Sequence, residues 1–509
     1  MLSKITLENF KGFKKLKDLN LKPITILCGS NSSGKSSILQ SILLFKQTIE
    51  SRNQNQMILL NGKLTHLGFF KNIIFEKKVN NRLIIEFCFS FKKDDLSVRS
   101  KGPFSMYSTM YIPRDFLTEE QRKVKDPEYY LYYKITLKML QSDEETGQLN
   151  PLSVERLNIK LDVKSVHEMI EGLQIDIDLI DSKDSKFRYL IKWNNLSFRD
   201  FETKKRKIIN GQIEANIHFI NLLPTYISYK REKGREEEIQ YYNITYVFHR
   251  LNSIFQVIFS KYSYIGPLRE EPYRRYFYED EIVEIGNKGE NAAYLYLAEK
   301  NNLIRDHYFL KKDTIDCFIK KASLSLENAL DYWFKLMNIK NLKPEPANEI
   351  IYLNLNSNLS SGTRVSIADT GFGVSQIFPI VLEGLRMSTG DTLLLEQPEI
   401  HLHPNLQMQL ADYFIALALS NKKVIVETHS DHIINRLVRR IVEDNKFNLK
   451  DKISIYFIKM TKSGAKSEEI SINDSFGITN WPKDFFDQTA VEQESIIKAG
   501  LKKRQANLK

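Results

Sequence analysis

The stretch Gly29-Ser30-Asn31-Ser32-Ser33-Gly34-Lys35-Ser36 follows an apolar run at 24–28 and precedes an amphipathic run at 36–45. It fits G-x-x-x-x-G-K-[ST], a phosphate-binding loop between a strand and a helix. In such a loop, backbone N–H groups and the helix N-terminus bind phosphate. Lys35 can reach the β- and γ-oxygens, and Ser36 is placed to bind Mg²⁺. The sequence therefore predicts a nucleotide site, rather than a turn with a solvated lysine, formed by Asn31, Ser32, Ser33, Gly34, Lys35, Ser36 and Ser37.

A second apolar run, residues 392–395, ends at Glu396 and is followed by Gln397-Pro398-Glu399. A buried strand that ends in a carboxylate is the arrangement that holds the magnesium ion of a bound nucleotide, directly or through water. An ordinary strand can also end at an acid, so this motif gains its weight from the phosphate loop. Glu396 lies more than three hundred residues after Lys35. The spacing predicts an α/β core whose two lobes are split by a large insertion and reunited in space.

Two further stretches carry polar groups where a nucleotide site needs them. The apolar run at 424–426 leads into Glu427-Thr428-His429-Ser430, and His429 could contact the γ-phosphate or order the attacking water. Residues 369–376 open a helix, where small residues and free N–H groups can form a second anion site. That segment is a candidate for contact in trans across a dimer, with a plain helix cap as the alternative. Its candidate residues are Thr370, Gly371, Gly373 and Ser375.

Four histidines, His401, His403, His429 and His432, allow a metal centre as an alternative. No cysteine or open-site carboxylate geometry accompanies them, so we expect His401 and His403 to shape the loop after Glu396. The chain has three cysteines, far apart and without CxxC, which excludes a disulfide framework and a thiolate zinc site. This pattern favours a reducing interior, and we expect a cytoplasmic protein.

Length and composition indicate a folded chain of about three domains, or one large core with an insertion. Its 509 residues are 42% hydrophobic and 27% charged. The first residues alternate like a strand and lack the apolar core of a signal peptide, and the apolar runs are too short to span a bilayer. We therefore expect no membrane partner. We divide the chain into an N-terminal lobe (1–92), an inserted α/β region (93–262), a helical region (263–349), a C-terminal lobe (350–470) and a tail (471–509).

The order of Lys11-Gly12-Phe13, the loop at 29–36, and the stretches at 369–376, 393–404 and 426–430 resembles the ABC-type ATPase heads of SMC-like and OLD-like bacterial AAA ATPases. Tyr264-Ile-Gly-Pro-Leu-Arg269 and residues 481–487 are similar to a narrower subset, which carries a C-terminal domain of unknown function and occurs in anti-phage defence modules such as Septu-type systems. The resemblance implies a P-loop head that binds ATP and Mg²⁺ between two subunits of a head-to-head homodimer or larger oligomer. It assigns Lys35 and Ser36 to phosphates and ion, Glu396 to the Walker B acid, and His429 to the switch histidine.

This sequence departs from the family pattern at Gln397, where such heads usually carry a second carboxylate as general base. An amide cannot accept a proton at neutral pH, although it can orient water. We expect slow turnover with an ATP-stabilised dimer. Use of Glu399 or His429 to activate water, or no hydrolysis at all, are the alternatives.

OLD-type relatives often carry a Toprim nuclease, but no Glu plus Asp-x-Asp constellation follows His429. The chain's Asp-x-Asp, Asp176 and Asp178, lies in an alternating stretch that we expect to be a solvated strand face. If nucleic acid is cut, a separate partner subunit, HNH-type among the candidates, should do it.

Three functions are open at this point. One is an ATP-gated subunit that regulates or scaffolds a nucleic-acid-targeting defence complex; another is a nucleic-acid clamp in which ATP is structural. The third, a transport head, explains the insertion and the net charge of +11 poorly. Four basic clusters could neutralise DNA or RNA phosphates, with solvated lysines as the alternative, at 204–207, 230–235, 436–440 and 502–504.

Overall fold

The computed structural model of the chain is a mixed α/β protein, which confirms the expected fold class. It describes residues 1–53, 56–99, 107–109, 112–139, 152–165, 168–181, 187–199, 206–228, 235–277, 284–311, 317–357, 362–480, 482 and 488–507.

The largest sheet in these ranges has nine strands, and all neighbours are antiparallel. Its strands are β1 (Leu2–Phe10), β2 (Phe13–Asn20), β4 (Leu83–Lys92), β7 (Glu128–Met139), β8 (Leu152–Lys164), β9 (Met169–Asp181), β10 (Arg188–Arg199), β11 (Arg206–Ile220) and β12 (Leu223–Ser228). The order is β12-β11-β10-β9-β8-β7-β4-β1-β2. β4 pairs with β7 from Leu83 to Lys92, across the boundary that we placed at 92/93. The region expected as an insertion thus extends the sheet that the N-terminal strands begin.

A second sheet carries the phosphate loop. Its six strands in the described chain are β3 (Ile24–Gly29), β13 (Tyr262–Ile265), β20 (Thr392–Glu396), β21 (Lys423–Glu427), β22 (Ile453–Thr461) and β23 (Gly464–Glu469). The order is β13-β20-β21-β3-β22-β23, with parallel pairing except between β22 and β23. Leu27 of β3 lies opposite Glu427 on one side and Tyr456 on the other. The expected reunion of early and late sequence is therefore confirmed.

Helices cover both faces of this second sheet. The helices of the described chain are α1 (Lys35–Ile49), α2 (Phe70–Ile73), α3 (Glu119–Arg122), α4 (Arg235–Ser260), α5 (Ala292–Glu299), α6 (Leu326–Leu336), α7 (Phe372–Arg386), α8 (Pro404–Leu419), α9 (Asp431–Val442), α10 (Leu449–Lys452) and α11 (Gln488–Asn507). Short strands complete the described chain: β5 (Ser97–Arg99), β6 (Tyr107–Thr109), β14 (Tyr276–Phe277), β15 (Leu303–Leu310), β16 (Phe318–Ser325), β17 (Lys340–Ala347), β18 (Ile350–Asn356), β19 (Arg364–Ser366), β24 (Ile472–Asn473) and β25 (Gly477–Ile478).

The region expected to be helical, 263–349, contains α5 and α6, but β15 and β16 form an antiparallel hairpin between them. The helical expectation is wrong for these strands. Their side chains alternate, so that His307 and Phe309 turn inward while Lys320 of β16 is exposed. Ser325 ends the hairpin and caps α6, accepting a hydrogen bond from the Asn328 N–H.

Alternation along the second sheet sends its side chains into two separate cores. Leu27, Leu394 and Ile425 pack with α1, α4 and the nine-stranded sheet. Their neighbours Ile26 and Val426 pack on the other face with α6, α7, α8 and α9. Because side chains of a strand point alternately to opposite faces, α1 and α7 lie on opposite faces of this sheet. Of the helices in the described ranges, none combines the length and apolar character that crossing a membrane requires.

Candidate nucleotide site

The phosphate loop is the turn from β3 to α1. Gly29 and Gly34 have φ angles of 142° and 106°, a backbone region that side chains disfavour. A Cβ on Gly29 would lie 2.0 Å from the carbonyl oxygen of Ile458 in β22, so no other residue fits there. Gly34 caps α1 and provides no side-chain hydrogen bond, which leaves the first N–H groups of the helix free of a side-chain cap. The local geometry suits an anion at this helix start.

The Lys35 side chain folds back and contacts the first residues of the phosphate loop. Its ammonium group donates to the carbonyl oxygens of Gly29 at 3.0 Å and Ser30 at 2.7 Å. Burial lowers the pKa of Lys35, and the Glu427 carboxylate works against that shift. Lys35 is therefore a buried cation at the mouth of the loop, held by carbonyl oxygens that an incoming phosphate could replace.

Two carboxylates end neighbouring strands on the same side of the sheet as α1. Glu396 of β20 and Glu427 of β21 are partners in the strand register, and Glu427 is aligned with Leu27. The Ser36 hydroxyl donates to Glu427 Oε1 at 2.9 Å, and the Tyr264 hydroxyl donates to Glu396 Oε1 at 3.1 Å. The strand before the loop and the late acidic strand β20 thus belong to the same sheet, with β21 between β3 and β20.

Burial governs the electrostatics of this carboxylate pair. It raises the pKa of Glu396 to about 7, and the neighbouring Glu427 raises it further, while Lys11 opposes the shift. Burial also raises the pKa of Glu427, against the effects of Ser36 and Lys35. Lys11 additionally donates a hydrogen bond to Gln40 of α1. A cation close to both acids would favour their ionised forms.

The oxygen donors here fit a magnesium ion. Glu427 Oε2 is buried and has no hydrogen-bond partner, and it belongs to the carboxylate that accepts from Ser36. Carboxylate and hydroxyl oxygens are the hard ligands that Mg²⁺ selects. The donor set therefore agrees with a nucleotide-bound Mg²⁺.

The turn after β20 is held by two contacts. Gln397 has a φ of 44°, and its N–H donates to the Glu427 carbonyl oxygen at 2.7 Å. The buried Arg269 guanidinium donates to the carbonyl oxygens of Glu396 at 3.1 Å and Gln397 at 2.9 Å. Burial lowers the pKa of Arg269 to about 10, so this side chain remains charged at neutral pH. Arg269 thereby sets the backbone that presents Gln397.

Glu399 connects this turn to the end of β21. Its carboxylate accepts hydrogen bonds from the Thr428 hydroxyl at 2.7 Å and from the His429 N–H at 2.6 Å. Burial, with a contribution from Lys35, lowers the pKa of the half-buried His429. His429 is therefore a neutral imidazole at pH 7 and able to accept a proton.

The second candidate anion segment begins the helix α7. Thr370 and Gly371 precede α7, and α7 is on the face opposite α1. The Ser375 hydroxyl donates to the Phe372 carbonyl oxygen at 2.8 Å, and a Cβ on Gly371 would have nothing within 4 Å. Gly373 packs near the His401 carbonyl oxygen. The structure thus brings Lys35, Ser36, Glu396, Gln397, Glu399 and His429 towards one edge of the sheet, whereas Thr370, Gly371, Gly373 and Ser375 lie at the start of a helix on the face opposite α1.

The other histidines have local roles. His403 caps α8, accepting from the Asn405 N–H at 3.3 Å, and the His401 ring lies against Phe372 at 5.8 Å. Both residues shape the loop after Glu396, as expected. In the part of the chain that the structure describes, no three His, Cys, Asp or Glu residues are grouped to hold a metal ion.

The basic cluster at 436–440 is not a phosphate-binding surface at its two ends. Arg436 and Arg440 are buried, and each lies 2.7 Å from a carboxylate oxygen of Asp412. The expectation was wrong because two helices bury these guanidinium groups around one acid. Residues 204–205, 230–234, 481 and 483–487 lie outside the described residues, and for 502–504 the description covers only the helical backbone of α11. The Asp-x-Asp prediction is confirmed: Asp176 accepts from Asn158 and Asp178 pairs with Arg156 on a polar strand face.

Comparison with known protein families bears on the identity of this fold. The model of the AAA ATPase domain family matches residues 1–434. The chain belongs to this AAA ATPase family. A model of a protein family of unknown function, DUF3696, matches residues 450–494, which contain β22 and β23 of the AAA ATPase sheet. The expected pairing of an ATPase head with a C-terminal domain of unknown function is thereby confirmed.

Solved SMC heads are among the structures similar to this AAA ATPase. One is an SmcHead bound to the C-winged helix domain of ScpA, with 11% identity, coverage of 93% of this chain and 98% of that chain, and a TM-score of 0.37. The SMC head domain from Thermotoga maritima has 9% sequence identity, coverage of 92% of this chain and 99% of that chain, and a TM-score of 0.33. An Smc head bound to the C-terminal domain of ScpA, derived from Pyrococcus furiosus, has 8% sequence identity, coverage of 98% of this chain and 99% of that chain, and a TM-score of 0.34. Among curated proteins, no relative matches this chain.

Sequence reasoning assigned no role in the site to four residues around it: Lys11, Tyr264, Arg269 and Glu427. A signal existed for Glu427, because the run at 423–427 ends in an acid in the same way as the run at 392–396. Tyr264 and Arg269 were noted only as part of a family motif. Their contacts depend on the pairing of β13 with β20, which local sequence does not reveal.

Proposed function

We propose that this AAA ATPase binds ATP with Mg²⁺ at the 29–37 loop and hydrolyses it slowly. The observation that supports this most strongly is the convergence of Lys35 and Ser36 with the carboxylate-ending strands β20 and β21 at one edge of one sheet. The free N–H groups at the start of α1 and the Lys35 ammonium group bind the β- and γ-phosphates.

The metal site of this proposal is formed by the Ser36 hydroxyl and the Glu396 carboxylate. A bound Mg²⁺ would supply positive charge that neutralises the negative charge of the phosphate oxygens during transfer of the γ-phosphoryl group to water. Lys35 leaves the carbonyl oxygens of Gly29 and Ser30 to reach the phosphates. The Tyr264 hydroxyl keeps one oxygen of Glu396 oriented.

Slow turnover follows from the residues available to handle the attacking water. Gln397 orients water through its amide but takes no proton. His429 is neutral and half-buried beside Lys35, so it is suited to contact the γ-phosphate or to accept the proton. Glu399 already accepts from Thr428 and His429, which suits it to hold His429 in place.

The proposed assembly is a head-to-head homodimer or larger oligomer in the cytoplasm. The position of α7 on the face opposite α1 supports a contact in trans, in which the segment at Thr370, Gly371, Gly373 and Ser375 of one subunit completes the ATP site of another. Gly371 is exposed with open space around it, which leaves room for a phosphate.

The wider role that we propose is regulation or scaffolding of a nucleic-acid-targeting, anti-phage complex with a separate nuclease subunit, HNH-type among the candidates. The family resemblance supports this role, and the engagement of Asp176 and Asp178 with Asn158 and Arg156 argues against a nuclease centre there. An ATP-stabilised clamp on DNA or RNA is the alternative. A transport head has less support, since nothing in the site requires a permease.

The proposal is tested by ATP binding, phosphate release and oligomeric state of wild type and Lys35→Met, with the exposed Lys71→Met as the matched control. Lys35→Met should lose ATP binding and ATP-dependent assembly, while Lys71→Met should keep both. Turnover as fast as that of an efficient ATPase, and unchanged in Gln397→Ala, would contradict slow hydrolysis. Co-purification from the native operon, followed by a nuclease assay with and without ATP, tests the wider role.

A further inference from the structure

The carboxylate in contact with the Ser36 hydroxyl is Glu427, not the Walker B acid Glu396. The Ser36 hydroxyl is 2.9 Å from Glu427 Oε1, whereas Glu396 accepts from Tyr264. In a nucleotide site this hydroxyl is the group placed to bind Mg²⁺. The carboxylate that contacts this hydroxyl of the loop is therefore that of Glu427.

The strand order explains this arrangement. β21 lies directly beside β3, whereas β20 is one strand further away. Glu427 ends β21 opposite Leu27, near the start of the loop, and Glu396 is its register partner on the far side. An acid at the end of β21 thus stands between the loop and the Walker B acid.

Glu427 also has an unused oxygen. Its side chain is 4% exposed, and Oε2 is buried without a hydrogen-bond partner. A buried carboxylate oxygen without a partner is costly unless a proton or a cation satisfies it. The nearby Ser36 hydroxyl marks the position where a magnesium ion would be shared.

We propose that Glu427 is a second metal-binding carboxylate of the ATP site, holding Mg²⁺ together with Ser36 and Glu396. The inference rests on the proposed ATP function and adds a ligand to it. Gln397 is uncharged where related heads usually carry a carboxylate in the turn after β20. Glu427 provides a carboxylate at the end of the adjacent strand. The residues that would hold the ion are then two carboxylates and a hydroxyl from three elements: α1, β20 and β21.

The experiment measures metal binding separately from turnover. Binding of Mn²⁺ is followed by electron paramagnetic resonance on protein saturated with a non-hydrolysable ATP analogue, and analogue affinity is measured in EDTA. The variants are Glu427→Gln, Glu427→Asp and Glu396→Gln. Glu468→Gln is the matched control, because Glu468 forms a solvent-accessible ion pair with Lys459 and takes no part in the proposed metal site.

Glu427→Gln should weaken Mn²⁺ binding about 10-fold or more, the scale of losing a metal-site group, without weakening analogue binding in EDTA, because the lost carboxylate repels phosphate when no metal is bound. Glu427→Asp keeps the negative charge on a shorter side chain, so its Mn²⁺ affinity should lie between those of wild type and Glu427→Gln. Urea unfolding in EDTA checks that each variant folds, and the Asp variant carries the test if Glu427→Gln does not.

Mn²⁺ affinity of both Glu427 variants equal to that of Glu468→Gln, together with a loss in Glu396→Gln, would overturn the inference and leave the proposed ATP function standing. Failure of wild type to bind the analogue both with Mg²⁺ and in EDTA would overturn the proposed function, and this inference with it.

Discussion

The Ser36 hydroxyl donates a hydrogen bond to the Glu427 carboxylate across 2.9 Å, although the two residues are 391 positions apart in the chain. The bond joins the first turn of α1 to the end of β21. It lies beside the strand pairs β21–β3 and β22–β3, which also link late residues to early ones. The phosphate loop is therefore packed against two late segments of the chain. One is the end of β21, near the end of the AAA ATPase domain at residue 434, and the other is β22, which follows that domain.

Gly29→Ala should disrupt the phosphate loop. The new Cβ would meet the Ile458 carbonyl oxygen at 2.0 Å in a strained backbone conformation, and such strain alone costs about 1–3 kcal/mol. We expect a lower free energy of unfolding in urea and loss of fluorescent ATP analogue binding. Gly371→Ala is the control for the unfolding measurement alone, because its Cβ meets nothing within 4 Å, and its free energy of unfolding should change by less than about 0.5 kcal/mol. Equal behaviour of the two variants would contradict the loop geometry.

Arg269→Met should destabilise the turn after β20. It leaves the carbonyl oxygens of Glu396 and Gln397 without their donor, at a cost of roughly 1–3 kcal/mol in the free energy of unfolding. Arg269→Lys should recover only part, since an ammonium group does not reproduce the fork of a guanidinium. The exposed Arg274, which pairs with Asp369, is the matched control, and Arg274→Met should cost less than about 1 kcal/mol. Urea unfolding ranks the three variants, and an Arg269→Met protein as stable as Arg274→Met would refute the role.

Gln397→Glu should accelerate ATP hydrolysis. It places a proton acceptor where related heads carry one, and general-base catalysis typically contributes about 10²–10⁴-fold. Because Glu396 and Glu427 lie nearby, the new carboxyl should have a raised pKa, so we expect at least about a 10-fold gain that grows with pH. Steady-state phosphate release from pH 6 to pH 9 measures it. An unchanged rate, with ATP binding intact, would show that the amide does not limit turnover.

Lys422 should make stability depend on pH. Its ammonium group donates to the carbonyl oxygens of Gly384 and Leu385 at the end of α7, and burial lowers its pKa from 10.5 to about 7 against the pull of Asp391 and Glu383. Between these pKa values the unfolded chain binds more protons, so the free energy of unfolding rises with pH, and this stability is lost as pH falls from 10.5 to 7.

Lys422→Met should therefore flatten the rise in the free energy of unfolding between about pH 7 and pH 9. Urea unfolding at several pH values compares the two slopes. Exposed Lys462→Met serves as the control and should keep the wild-type slope. A wild-type slope in Lys422→Met would contradict a neutral buried lysine.

The sequence predicted those parts of the site that depend on local pattern. The loop at 29–36 and the acid-ending run at 392–396 each combine an apolar period with polar residues at a fixed spacing. Such patterns depend on neighbours in the chain, and β3, α1 and β20 lie where they were expected.

What the sequence did not predict depends on strand order. Placing β21 between β3 and β20 sets Glu427 against Ser36, and pairing β13 with β20 brings in Tyr264 and Arg269. These pairings are made between segments remote in the chain, so no spacing rule encodes them. The hairpin of β15 and β16 was missed for a different reason, since short runs such as 303–310 carry too few residues to separate a strand period from a helical one.

The most direct test of the account is to locate a bound Mn²⁺ by its anomalous scattering in crystals grown with a non-hydrolysable ATP analogue. The account predicts the ion beside the Ser36 hydroxyl and between the Glu427 and Glu396 carboxylates, with the γ-phosphate at Lys35. An ion bound away from all three residues, or an analogue that does not touch Lys35, would contradict it.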